Sequence, residues 1–139
     1  MFRKAIIAGA LLALGLAGPA SIGPAWAQDA PRPKPHVIYL HNEPVSGVPG
    51  KETTLLSIDW PPNSTTGRHT HPGDEYAVVL EGALELDVDG QKPRIIKAGQ
   101  AYHNLQGVVH ETKNAAPGRT RSIAVLVLDK GQPLQIPVK

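Results

Sequence analysis

The chain reads as one all-β domain, a sandwich or barrel of short antiparallel strands, and three observations predict it. Apolar residues alternate with polar ones over runs of four to eight, as in Ala83-Leu-Glu-Leu-Asp-Val88. Glycine and proline punctuate those runs at short, regular intervals. No segment carries helical periodicity over a useful length. Pattern alone leaves jelly-roll and immunoglobulin-like topologies both open.

The elements follow in order. Met1-Phe2-Arg3-Lys4 is a short basic start, and Ala5 to Ala17 is an apolar run without a charge. Pro19, Gly23 and Pro24 break that run, and Ala25-Trp26-Ala27 is a small-x-small cleavage site. Residues 1–27 therefore read as a cleavable signal peptide, too short in its apolar part for a membrane span. The expectation is a periplasmic or secreted protein cut after Ala27, with no stable membrane insertion afterwards. Arg3-Lys4 is not a twin-arginine pair, which favours export of the unfolded chain. Residues 28–35 form a proline-rich leader, expected to be mobile until His36.

The domain is then 36–139. His36 to His41 reads as a strand and Pro44 to Gly50 as a loop. Thr53 to Trp60 is the next strand, stopped by Pro61-Pro62. The strands around His69 to Leu80 follow, then Ala83 to Val88, with Asp89-Gly90 as a two-residue hairpin turn. Pro93 to Lys97, Gln100 to Asn104, Val108 to Asn114 and Arg121 to Leu128 complete the set.

Composition narrows the function. Removing Arg3 and Lys4 with the signal leaves 12 basic against 12 acidic residues. No Lys/Arg cluster or basic-aromatic interleaving remains, so no nucleic-acid partner is expected. Cysteine is absent, which rules out a disulfide framework and a thiolate metal ligand. About 112 residues remain after cleavage, enough for one domain with a marginal core. Dimerisation or a metal would help to stabilise it.

The stretch that carries chemistry is His69-Thr70-His71-Pro72-Gly73-Asp74-Glu75. His69 and His71 share one face of an extended strand. Pro72-Gly73-Asp74 turns the chain, and Glu75 can be the first inward residue of the next strand. Two imidazoles and a carboxylate then converge as a transition-metal site requires. Unpaired in the interior, the glutamate would be costly.

The spacing His-x-His-x3-Glu-x6-Gly, here His69, His71, Glu75 and Gly82, resembles the first motif of the cupin superfamily. Its second motif matches at Gly99, Gly107, His110 and Asn114, with Leu105 where proline is usual and every spacing kept. Asn63 occupies the place of a glycine usual before the first histidine, with Gly67 nearby. The chain thus resembles a small single-domain cupin, which implies a jelly-roll barrel (double-stranded β-helix) with the ligand site at its mouth.

The resemblance adds His110 as a fourth metal ligand beside His69, His71 and Glu75. Four N/O donors leave two positions open on one divalent transition metal, which can be Fe, Mn, Ni, Cu or Zn. Thr112 and Asn114 share the parity of His110, and Tyr102 and His103 are further pocket candidates, although a polar surface or hairpin position is the first expectation for His103. Ala77 and Val79 share the parity of Glu75 and would form an apolar floor with Leu84 or Leu86. Tyr76 should face away, His36 and His41 should lie on the surface, and Arg68 should point outward. The functions implied are a metal-dependent dioxygenase on a small organic substrate, a metal-dependent lyase or isomerase, or a non-catalytic module binding a metal or small ligand. A homodimer paired through a sheet edge is expected.

Overall fold

A computed structural model describes residues 31–139. The signal peptide, its cleavage after Ala27 and the first residues of the leader lie outside the described residues. Ten strands follow one another: β1 (His36–Pro44), β2 (Lys51–Trp60), β3 (His69–Thr70), β4 (Gly73–Glu81), β5 (Ala83–Val88), β6 (Arg94–Lys97), β7 (Ala101–Asn104), β8 (His110–Asn114), β9 (Thr120–Asp129) and β10 (Ile136–Pro137). They form two five-stranded antiparallel sheets, ordered β1-β2-β9-β4-β7 and β10-β3-β8-β5-β6. The fold is an all-β jelly roll.

Strict alternation in β2, β4, β5 and β9 sends every second side chain between the sheets. Trp60, Val79, Leu84, Leu86, Ala124, Leu126 and Leu128 are buried there. Ala77 and Val79 do share the inward face with Glu75, and Leu84 and Leu86 face them from the opposite sheet. Two glycines let backbones meet. A Cβ on Gly73 would sit 1.9 Å from the Val127 carbonyl oxygen, where β4 begins its pairing with β9. At Gly82, φ is +78° and a Cβ would collide with the Thr120 hydroxyl. Asn63, in the place of the usual glycine, has φ +61°, a left-handed conformation that asparagine tolerates best after glycine.

Several local expectations are corrected. β1 continues to Pro44, and its residues are exposed on both faces, including Val37, Ile38, Tyr39 and Leu40. Asp89-Gly90 does form a turn, closed by the Gln91 amide on the Val88 carbonyl at 3.0 Å. It sits in a longer loop, because β5 and β6 pair only from Leu86 and Arg94 onward and Pro93 has no N–H to extend the ladder. The leader is held earlier than expected: Thr65 donates to the Pro33 carbonyl at 3.0 Å, and Lys34 Nζ donates to the Thr66 carbonyl at 2.9 Å. Extended proline-rich backbone leaves its carbonyls open to such partners. The strand β10 had no signature in the sequence; its two residues pair with His69 and Thr70.

Candidate metal centre

Position 69 pairs directly with position 110 across β3 and β8. His71 follows on the same face as His69. The three rings pack with centroids 4.3 to 5.0 Å apart, and all three residues are buried. One nitrogen from each lies within 4.8 Å of the others, a spacing that can hold a metal ion.

The tautomers follow from the backbone. His69 Nδ1 lies 2.8 Å from the Gly67 carbonyl, His71 Nδ1 2.5 Å from that of Leu134, and His110 Nδ1 3.0 Å from that of Val108. A carbonyl only accepts, so each Nδ1 carries a proton and each Nε2 turns to the centre. The Nε2 atoms of His71 and His110 are buried without a hydrogen-bond partner. Buried polar atoms left so are costly, and a cation at their common focus would satisfy both. The residues present therefore fit a metal.

Glu75, which begins the inward face of β4 after Gly73, completes the group. Its Oε2 lies 3.4 Å from His71 Nε2 and 3.7 Å from His110 Nε2. Asn104 Nδ2 donates to the same oxygen at 2.8 Å, from the position opposite Glu75 on β7. Burial works to raise the Glu75 pKa, but the nearby His71 and the Asn104 hydrogen bond outweigh it and hold the carboxylate ionised. Burial likewise works against a charged His71, yet Glu75 lifts its pKa above the ordinary histidine value. Burial dominates at the other two: His69 is lowered to about 4 and His110 is lowered as well.

A cavity of about 340 Å³ opens over these donors. His69, His71, Glu75, Tyr102 and Thr112 line its floor, with Leu56, Ile58, Trp60, Leu126 and Val37 along its walls. Burial and the Glu75 charge raise the Tyr102 pKa well above 10, so its phenol stays protonated. Lys34 and Gln135, both exposed, stand where the cavity meets solvent.

Two of the pocket candidates lie away from the cavity. His103 points to the outer face, stacked on Tyr76 at 4.2 Å with its Nε2 3.3 Å from Asp74. Strand parity explains it, since Tyr102 and Asn104 take the inward positions of β7. Asn114 faces inward but is fully engaged elsewhere: its Nδ2 donates to the Trp60, Pro61 and Gly118 carbonyls and its Oδ1 accepts from Ala116 N and Thr120 Oγ1. It ties the strand ends together. Arg68 points outward and pairs with Asp89 at 2.5 Å. Leu105 does not open the second-motif turn, which closes through the Val108 amide on its carbonyl. Asn104 and the Leu134 carbonyl escaped sequence reasoning. Only the parity Asn104 shares with Tyr102 hinted at its place.

A family model described as "Cupin domain" matches residues 56–126, just over half of the chain and every donor named above. The chain belongs to the cupin family. This cupin is 34% identical over 86 residues to the HTH-type transcriptional regulator PuuR of Escherichia coli, covering 61% of the chain and 44% of the regulator. It is 36% identical over 76 residues to the beta-alanine degradation protein BauB of Pseudomonas aeruginosa, covering 52% of the chain and 79% of that protein. The chain thus spans less than half the length of the regulator. Among solved structures, oxalate oxidase in complex with the substrate analogue glycolate superposes with TM-score 0.60 at 20% identity, over 79% of this chain and 57% of that one. That likeness concerns the fold. Among the described residues of this cupin there is no helix.

Proposed function

We propose that this cupin is an exported, metal-dependent oxidoreductase of the dioxygenase type, acting on a small organic substrate. The observation that carries the proposal is the convergence of three backbone-oriented imidazoles and one ionised carboxylate under a cavity. His69, His71, Glu75 and His110 would hold one divalent metal, which when bound supplies Lewis-acid and redox chemistry with coordination positions left for ligands.

The remaining residues act around that centre. Asn104 fixes the Glu75 carboxylate, and the Gly67, Leu134 and Val108 carbonyls fix the imidazoles. Apolar walls exclude water from the substrate. Thr112 and the protonated Tyr102 offer hydroxyl groups that can orient a bound oxygen atom.

Export through the 1–27 signal and a homodimer belong to the same proposal, the latter because β1 offers an edge strand with exposed apolar residues. The partners proposed are a small-molecule substrate and no nucleic acid. Among the described residues no helix is long and apolar enough to cross a membrane.

One observation favours a second reading, a non-catalytic ligand-binding module. The 86-residue match to PuuR, by name a transcriptional regulator, allows the same barrel to serve as a sensor.

The test is elemental analysis of protein recovered from its native compartment, followed by oxygen uptake over phenols, thiols and keto acids. Iron, manganese, nickel or copper near one per chain, with substrate-dependent uptake abolished in His110→Ala, is expected. Bound zinc with no uptake for any substrate would favour the binding module, and absence of any metal would end both metal readings.

A further inference from the structure

The cavity has a charge pattern that selects its ligand. Its floor holds the His69 and His71 imidazoles and the Glu75 carboxylate, with the His110 ring packed against both histidines, so with a divalent cation held by these groups the floor is net positive. Its walls are Val37, Leu56, Ile58, Trp60 and Leu126, and the one polar atom of the Trp60 side chain is already used, its Nε1 donating to Ser122 Oγ at 2.9 Å. At the solvent end stands Lys34, among the described residues the one lysine or arginine lining this cavity. Its ammonium is held to the Thr66 carbonyl at 2.9 Å, and among the described residues no carboxylate lies within ion-pair distance of it. A carbonyl leaves the positive charge uncompensated and two of the three N–H donors open.

From this the geometry points to one substrate class: an amphipathic monoanion with an oxygen donor at one end, an apolar body, and a carboxylate or similar anion at the other. The oxygen donor reaches the metal floor between Thr112 and Tyr102. The apolar body covers the aliphatic and indole walls, where each Å² removed from water contributes about 25 cal/mol. The anion meets Lys34, which acts as a specificity-determining residue. A small dianion such as oxalate satisfies the floor but leaves the apolar walls uncovered. A cationic ligand would meet positive charge at both ends. This inference rests on the proposed metal centre and specifies what that centre binds.

Calorimetric titration of the zinc-loaded protein tests it without turnover. The probes are 6-hydroxyhexanoate and 3-(4-hydroxyphenyl)propionate, their uncharged amides, and oxalate. The expected result is that at least one hydroxy acid binds once per chain, at least about tenfold more tightly than both its amide and oxalate. In Lys34→Met that acid should lose about tenfold in affinity, while the amide is unaffected and zinc stoichiometry stays as in the parent. Oxalate binding as tightly as either hydroxy acid would overturn the inference. So would equal affinity for acid and amide, or a Lys34→Met protein that binds the acid unchanged. Failure of the parent protein to take up zinc or any other divalent transition metal would instead sink the metal centre itself, and is read separately in a metal titration before any organic ligand is added.

Discussion

Residue 104 shows how much of the centre depends on a side chain that is not itself a donor. Asn104 is 2% exposed and spends its amide on Glu75. Partners of this kind, one step behind a metal ligand, commonly govern affinity by about 10 to 100-fold. Replacing Asn104 with Leu should weaken zinc binding by about that factor while Asn104→Gln restores part of it, as measured by competition with a chromogenic chelator. The three imidazoles also predict a definite pH response. His71 is protonated more readily than an ordinary histidine, and His69 and His110 less. A metal must therefore displace the His71 proton, whereas the other two rings are already neutral at pH 7. Below the raised His71 value, affinity should fall by about tenfold per pH unit, and uptake should release about one proton per metal. Calorimetry in buffers of different ionisation enthalpy counts that proton; none released at pH 6 would contradict the assigned state of His71.

The segment after β9 helps to hold these residues in place. Leu134 lies in the segment before β10, and its carbonyl orients the His71 ring, while β10 itself pairs with the strand that bears His69. The Val138 amide adds a bond to the Arg68 carbonyl at 3.0 Å. A chain ending at Pro133 keeps the main strands of both sheets but loses the acceptor that turns His71 toward the metal. We expect it to fold, with circular dichroism like the parent, and to bind zinc at least about tenfold more weakly. The start of the β4–β9 pairing is less forgiving. Gly73→Ala places a methyl 1.9 Å from the Val127 oxygen, on backbone that must shift to admit it. Such overpacking should cost about 3 kcal/mol or more, read from urea denaturation of the metal-free protein.

At the scale of the whole molecule, a core of this size leaves a thin margin of stability. A cation that binds only the folded barrel adds to it by mass action, about 2.7 kcal/mol at a concentration one hundred times the dissociation constant. Scanning calorimetry should show a melting temperature about 10 °C or more higher with zinc than with EDTA; an unchanged melting temperature at saturation would argue against a site formed by folding. The fold class, the inward parity of Glu75, Ala77 and Val79, and the paired spacings around His69 and His110 were all legible in the sequence, because strand periodicity and turn chemistry are local properties. His103 was weighed as a pocket group because its strand's register cannot be read without its neighbour; pairing with β4 is what turns Tyr102 and Asn104 inward. Asn104 against Glu75, Leu134 behind His71, and Lys34 at the cavity mouth join positions 29, 63 and 32 apart in the chain. Sequence by itself determined the strand class and the inward face of the clearly alternating strands. Only the pairing of distant strands and the closing of one sheet over the other decided which of them meet, since such contacts depend on the order of strands and leave no periodic trace along the chain.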